Sequence, residues 1–142
     1  MFPAVHTQED DKARIVTQAR LNRAKFQALR LVKKHEQDIL LAFELAARDR
    51  SDKIKRVRVD IDKVSQRIRC CKLGDTSEGC WGESDECEIL VNRNQEHTFN
   101  ELIGTVLHES LHYVCKECRG YGLRYLCTQA EHAAMTILGE HY

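Results

Sequence analysis

The stretch from Gln8 to about Asp49 contains neither glycine nor proline and is rich in alanine, leucine and long charged residues. These residue types have high helix propensity, so the stretch predicts a long N-terminal helical region. A single helix of this length would be unusual, and we expect one break near Lys33-Lys34-His35. The apolar residues recur at intervals of three, four and seven, which predicts one apolar face: Ile15, Ala19, Phe26, Leu29, Val32, Ile39, Leu40, Phe43 and Ala46.

The chain after residue 50 predicts strands. Residues 55–62 alternate between polar and apolar types, residues 65–73 have Ile68 and Cys70 on one face, and residues 87–92 form a short apolar run. Such patterns are typical of half-buried strands. Residues 74–86 contain three glycines and Trp81 and predict a loop. We therefore expect a small, mainly antiparallel sheet of three strands.

A further helix is predicted to begin near Phe99. Thr98 and Glu101 have the spacing of a capping box, in which each side chain accepts a hydrogen bond from the other residue's backbone N–H. A broad apolar stripe at helical spacing follows: Leu102, Ile103, Val106, Leu107, Leu111 and Val114.

This helix carries the most specific motif of the chain, His108-Glu109-Ser110-Leu111-His112. His108 and His112 lie one helical turn apart on the same face, so both imidazoles can reach one metal ion. Glu109 can hydrogen-bond a water on that metal and take its proton. The alternative is a pair of ordinary histidines, solvated or hydrogen-bonded at the edge of the core.

The chain is expected to form one α+β domain over its 142 residues. Gly120 and Gly122 can end the motif helix, and a last helix is predicted from about Arg124 to Leu138. The predicted parts are a tail (1–7), a helical region (8–50), a sheet region (51–97) and two metal-binding helices (98–142).

Composition excludes several classes of partner. The 22 basic and 22 acidic side chains balance, so no global field favours nucleic acid or a membrane surface. No apolar run approaches the roughly 20 residues of a membrane span. The N-terminus lacks a basic-then-apolar signal segment. We expect a cytoplasmic or otherwise intracellular protein that binds neither membrane nor nucleic acid.

Cysteine usage leaves three alternatives open. The seven cysteines stand at positions 70, 71, 80, 87, 115, 118 and 127. They could supply a second, structural zinc site, form one or two disulfides, or remain small buried thiols. The pattern does not separate these alternatives.

The order of elements resembles the core of the zincin metallopeptidases, which has a backing helix, a small twisted sheet, an H-E-x-x-H helix and a following helix. The order spans most of residues 10–142, whereas the resemblance is carried by His108, Glu109 and His112. It implies a catalytic Zn²⁺, a peptide or protein substrate, and hydrolysis of the peptide bond with Glu109 as general base.

The gluzincin branch, which the chain resembles most, takes its third zinc ligand from a glutamate in the next helix. Glu131, nineteen positions after His112, is the matching residue. His132 and a cysteine such as Cys118 stay as alternatives, because both are competent ligand types.

The resemblance also implies groups that handle the substrate. A tyrosine after the metal helix would stabilise the oxyanion, with Tyr125 preferred over Tyr121. The strand before the helix resembles the edge strand on which zincins bind extended peptides, so Ile89, Leu90 and Val91 are expected to bind substrate by strand addition.

Two classes of function follow from these expectations. The first is a small zinc-dependent endopeptidase. The second is a non-catalytic domain in which zinc only holds the fold and the surface binds a protein partner.

Overall fold

The computed structural model of the chain describes residues 12–48, 61–75, 79–81, 88–111 and 136. In this part of the chain the helices are α1 (Gln18–Lys34), α2 (Glu36–Arg48), α3 (Ile61–Arg69) and α4 (Phe99–Leu111). The strands are β1 (Lys72–Gly74), β2 (Gly79–Trp81) and β3 (Glu88–Asn92). The described helices include none with the length and apolarity to cross a membrane.

The N-terminal helical region is divided at the predicted position. Thr17 caps α1 by accepting a hydrogen bond from the backbone N–H of Arg20 at 3.2 Å. Helix α1 ends at Lys34, His35 leaves the helical conformation, and α2 begins at Glu36. The break expected near Lys33-Lys34-His35 is confirmed.

The buried face of the N-terminal helical region differs from the predicted one. Ile15 and Phe26 are 58% and 65% exposed. The buried apolar positions of α1 are Leu21, Ala24, Ala28, Leu31 and Val32, of which only Val32 belongs to the predicted face. Ala24 and Ala28 let α1 approach its neighbours closely, so the packed face combines these alanines with two leucines and a valine and leaves Phe26 outside the core.

The predicted sheet is wrong, and most of the described chain is helical. Residues 61–69 form α3 instead of a strand. Ile61, Val64 and Ile68 recur at intervals of three and four, and Val64 and Ile68 are fully buried. Lys25 closes the helix end by donating to the carbonyls of Arg69 and Cys71 at 2.8 and 3.1 Å. Residues 55–60, the rest of the first predicted strand, lie outside the described residues.

The three short strands form a mixed sheet in the order β1-β3-β2. Strand β3 runs parallel to β1, where Leu73 pairs with Val91, and antiparallel to β2, where Cys80 pairs with Ile89. The expectation of a mainly antiparallel sheet, and with it the predicted zincin-like arrangement, is therefore corrected. Two parallel strands need a long connection between them, and the local alternation of polar and apolar residues does not predict such a pairing.

Helix α4 lies at the centre of the packing and contacts α1, α3 and β3. Its predicted apolar stripe is confirmed within the described residues: Leu102, Ile103, Val106, Leu107 and Leu111 are all buried. Val114 lies outside the described residues. Because α4 packs against two helices and a strand, the residues on its outward face are held in defined positions.

Candidate functional site

The N-terminus of α4 has the predicted capping box. The backbone N–H of Thr98 donates to Glu101 Oε1 at 3.0 Å, and the backbone N–H of Glu101 donates to Thr98 Oγ1 at 3.1 Å. The hydrogen bonds with the backbone N–H and then the side chain of Thr98 hold the pKa of the Glu101 carboxyl below its ordinary value. The helix begins at Phe99, as predicted.

We expect Thr98→Ala to lower the free energy of unfolding by about 1 kcal/mol, the usual cost of losing a threonine cap. Urea denaturation at pH 7 measures it. Thr98→Ser keeps the hydroxyl and serves as the control, with a change of less than about 0.5 kcal/mol. Equal stability of the Ala and Ser variants would mean that the cap is not formed in solution.

The same cap predicts an acid dependence of stability. Because folding lowers the pKa of Glu101 below its ordinary value, the contribution of this carboxylate to stability is present above the unfolded pKa and is lost as pH falls through the lower folded pKa. Glu101→Gln keeps the cap geometry and removes the charge. The free energy of unfolding of this variant should therefore fall less steeply than that of the wild type between about pH 5 and pH 3, the range in which an unfolded glutamate titrates.

His108 and Glu109 lie in the last turns of α4 and reach one open cavity. His108 Nε2 is 3.9 Å from Glu109 Oε1, and the two side chains are 41% and 17% exposed. The cavity has a volume of about 340 Å³, and its lining residues come from α4 and from the segment before it: Gln95, His97, Glu101, Gly104, Thr105, His108 and Glu109. The imidazole and the carboxylate of the motif therefore open into the same space.

The amphipathic pattern of α4 explains this placement. Its apolar positions face the core, so Glu101, Thr105 and His108, at intervals of four and three, share the face that lines the cavity. Gly104 adds no side chain beside them. Half-buried Glu109 sits at the border between this face and the core.

The remaining predicted metal and catalytic residues are His112, Glu131 and Tyr125, and all three lie outside the described residues, as do the alternatives Cys118, Tyr121 and His132. Among the residues that the structure describes, no group of three His, Cys, Asp or Glu side chains is placed to hold a metal ion. The donor chemistry at the cavity still fits zinc, because an imidazole and a nearby carboxylate are present and the described lining contains no Lys or Arg.

The predicted substrate strand has a different position from the one expected. Strand β3 is the central strand, flanked by β1 along Leu90–Asn92 and by β2 along Glu88–Leu90. Ile89 and Val91 are fully buried in the core. Strand addition needs a continuous row of unpaired backbone groups. The expectation that this strand is a sheet edge, on which Ile89, Leu90 and Val91 were to bind substrate by strand addition, is therefore corrected.

Sequence reasoning missed His97, which lines the same cavity and is 4% exposed. Arg14 and His97 form a backbone bridge, with N–H to carbonyl distances of 2.9 and 2.8 Å. Arg20 donates from Nη2 to the carbonyl of His97 at 2.9 Å, and from Nη1 to the carbonyls of Arg14 and Ile15 at 2.9 and 2.8 Å. The only local signal was a histidine directly before the capping box.

The two described cysteine side chains show no disulfide. Cys71 is a buried thiol of the core, and Cys70 is exposed. For Cys71 this agrees with the buried-thiol alternative. The side chains of the other five cysteines lie outside the described residues.

No family model, curated protein or solved structure matches the chain. Function is therefore inferred from the chemistry of the cavity.

Proposed function

We propose that the chain is a zinc-dependent metallopeptidase that hydrolyses peptide bonds, with Glu109 as general base and with His108 and His112 as zinc ligands. The observation that supports this most directly is the joint opening of His108 and Glu109 into one cavity of about 340 Å³. Two neighbours on a helix normally point about 100° apart. Here their polar atoms nevertheless approach within 3.9 Å at the cavity.

The proposal divides the chemistry between the metal and the chain. Zinc, when bound, supplies a Lewis acid that polarises the peptide carbonyl and acidifies a water. Glu109 accepts the proton of the attacking water, and returns it to the amine that leaves when the C–N bond breaks. In this proposal Glu131 is the third ligand, and Tyr125 donates a hydrogen bond to the developing oxyanion.

The surroundings of Glu109 suit a general base. Its side chain is 17% exposed, so packing against the helix and the core restricts the positions of the carboxylate. A restricted base needs less ordering when substrate binds. His108 is 41% exposed and accessible from the cavity. A zinc ion bound to it could therefore keep an open coordination position for water.

We expect the purified protein to hold about one zinc per chain, and His108→Ala and His112→Ala each to lose most of it. Two imidazoles at this spacing provide half of a tetrahedral site, and either alone binds weakly. Elemental analysis by mass spectrometry after desalting measures the occupancy.

His6→Ala, which removes a histidine from the N-terminal tail, is the matched control and should retain the metal. Glu109→Gln should retain it as well, because Glu109 is proposed as a base and not a ligand. Full zinc occupancy in the double variant of His108 and His112 would overturn the ligand assignment.

A further inference from the structure

Helices α1 and α2 each expose a large apolar side chain beside charges of a single sign. Phe26 of α1 is 65% exposed and Leu41 of α2 is 49% exposed. We infer that a second copy of the chain covers both, with α1 of one copy packed on α2 of the other. Phe26 then contacts Leu41, and the basic face of α1 meets the acidic face of α2. The inference goes beyond the proposed peptidase function and does not depend on it.

The basic stripe of α1 consists of Phe26, Arg30, Lys33 and Lys34, all of which are exposed. The three basic residues follow Phe26 by four, seven and eight positions, which places all four side chains on one side of the helix. The buried residues of α1 lie on the opposite side. Since Gln18–Lys34 contains no Asp or Glu, no acidic side chain of α1 offsets this charge.

The acidic stripe of α2 consists of Asp38, Leu41 and Glu44, which are exposed and follow one another at intervals of three. Asp38 lies 3.5 Å from His35 Nδ1, but its side chain is 59% exposed and can be reached by a second cation. The other side of α2 is buried in the core: Ile39, Ala42 and Phe43. Leu41 therefore lies outside the core, between two carboxylates.

The two stripes complement each other. Each combines one large apolar side chain with charges of a single sign, and the signs are opposite. Aromatic and arginine side chains are enriched in protein interfaces, and a central apolar contact is typically surrounded by weaker contacts that exclude water from it. Because both stripes belong to the same chain, a two-fold axis forms the contact twice, with α1 of each copy on α2 of the other.

Other occupants of the basic stripe fit these observations less well. A helix that binds a membrane surface inserts its apolar face, and the apolar face of α1 is buried in the core. Nucleic acid is attracted by a positive field, whereas the 22 basic and 22 acidic side chains of the whole chain balance. An acidic segment of an unrelated protein would leave Leu41 and the acidic stripe uncovered. A second copy accounts for both stripes at once.

Charge reversal tests the contact. A single exposed ion pair contributes little, so two charges are reversed together: Lys33→Glu with Lys34→Glu in α1, or Asp38→Lys with Glu44→Lys in α2. Sedimentation velocity over a dilution series measures association of the purified full chain. We expect the wild type to form a dimer that dissociates on dilution and with added salt, and each double variant to be a monomer. An equimolar mixture of the two double variants should form a dimer again, because both of its contacts then pair opposite charges.

Phe26→Ala and Leu41→Ala test the apolar centre without changing any charge. Each should raise the dissociation constant of the dimer about tenfold, as loss of a central apolar side chain does. Ile15→Ala is the matched control, because Ile15 is 58% exposed and lies outside both stripes, and its dissociation constant should equal that of the wild type. Melting temperatures show which variants are folded, and the Ala variants decide the question if a charge-reversed variant is not.

Several results would overturn the inference. A wild type that is a monomer at every concentration would remove the second copy, and a dimer unchanged in the folded variants would place the contact elsewhere. Failure of the mixed variants to associate would exclude pairing of the two stripes. A monomer that instead binds a labelled polyglutamate peptide, a single-stranded oligonucleotide or phosphatidylserine vesicles would assign the basic stripe to that class of partner. None of these results depends on zinc or on cleavage, so the peptidase proposal stands or falls separately.

Discussion

Glu109→Gln is expected to lower the rate of peptide cleavage by about two to four orders of magnitude, the usual worth of a general base. The amide has nearly the shape of the carboxylate but cannot accept the proton of the attacking water. Because Glu109 is proposed not to bind the metal, zinc content and melting temperature should remain those of the wild type. Cleavage of an unfolded protein substrate near neutral pH, with added zinc and with a chelator, measures the effect.

Glu101→Gln is the matched control for this experiment. Glu101 is on the same helix and lines the same cavity, and Gln preserves its capping role. Its cleavage rate should stay near that of the wild type, so a loss specific to position 109 cannot be ascribed to the charge of the cavity. Equal rates for wild type and Glu109→Gln would point to a contaminating protease.

Chelation separates the peptidase from the non-catalytic alternative. A catalytic zinc can be removed with loss of cleavage while the fold remains. A structural zinc is coupled to folding, so its removal would unfold the chain. A chain that unfolds on chelation and cuts no substrate at any stage would favour the domain in which zinc only holds the structure.

Local signals in the sequence predicted the helices around the site well. The capping box at Thr98 and Glu101, the start of α4 at Phe99 and the break at His35 were all found in the structure. Each depends on residues within a few positions of one another. For this reason the apolar stripe of α4, and with it the side of the helix that packs in the core, could be predicted from spacing alone.

The sheet was not predictable in the same way. Residues 65–69 have a short alternation, but Val64 and Ile68 are buried against other helices, and this tertiary packing selects the helical period. Strand β3 has the composition of a strand, yet its central position depends on which segments pair with it. Pairing partners are long-range contacts, which a local pattern does not encode.

The role of Arg20 illustrates the same point for the site. Helix α1 has several basic residues, and the sequence does not distinguish Arg20, which is buried, from the others. Its partner His97 is 77 positions away along the chain. Only the folded arrangement of α1 beside α4 reveals that this arginine supports the cavity wall.

Arg20→Ala is expected to lower the free energy of unfolding by about 3 kcal/mol, because it removes charge-assisted hydrogen bonds from a buried position. The carbonyls of Arg14 and His97 keep their partners in the backbone bridge, but the carbonyl of Ile15 loses the donor at 2.8 Å. The apolar stem of the side chain is lost as well, which leaves space beside the core. Urea denaturation at pH 7 measures the change.

Arg30→Ala is the control on the same helix, since Arg30 is exposed and makes a long 3.4 Å hydrogen bond to Gln27. It should change stability by less than about 0.5 kcal/mol, as surface substitutions do. Arg20→Lys should recover only part of the loss, because an ammonium cannot replace the planar fork. If Arg20→Ala were as stable as Arg30→Ala, the hydrogen bonds from Arg20 would not hold the segment before α1 to the cavity wall. The backbone bridge with Arg14 would then be what keeps His97 in position.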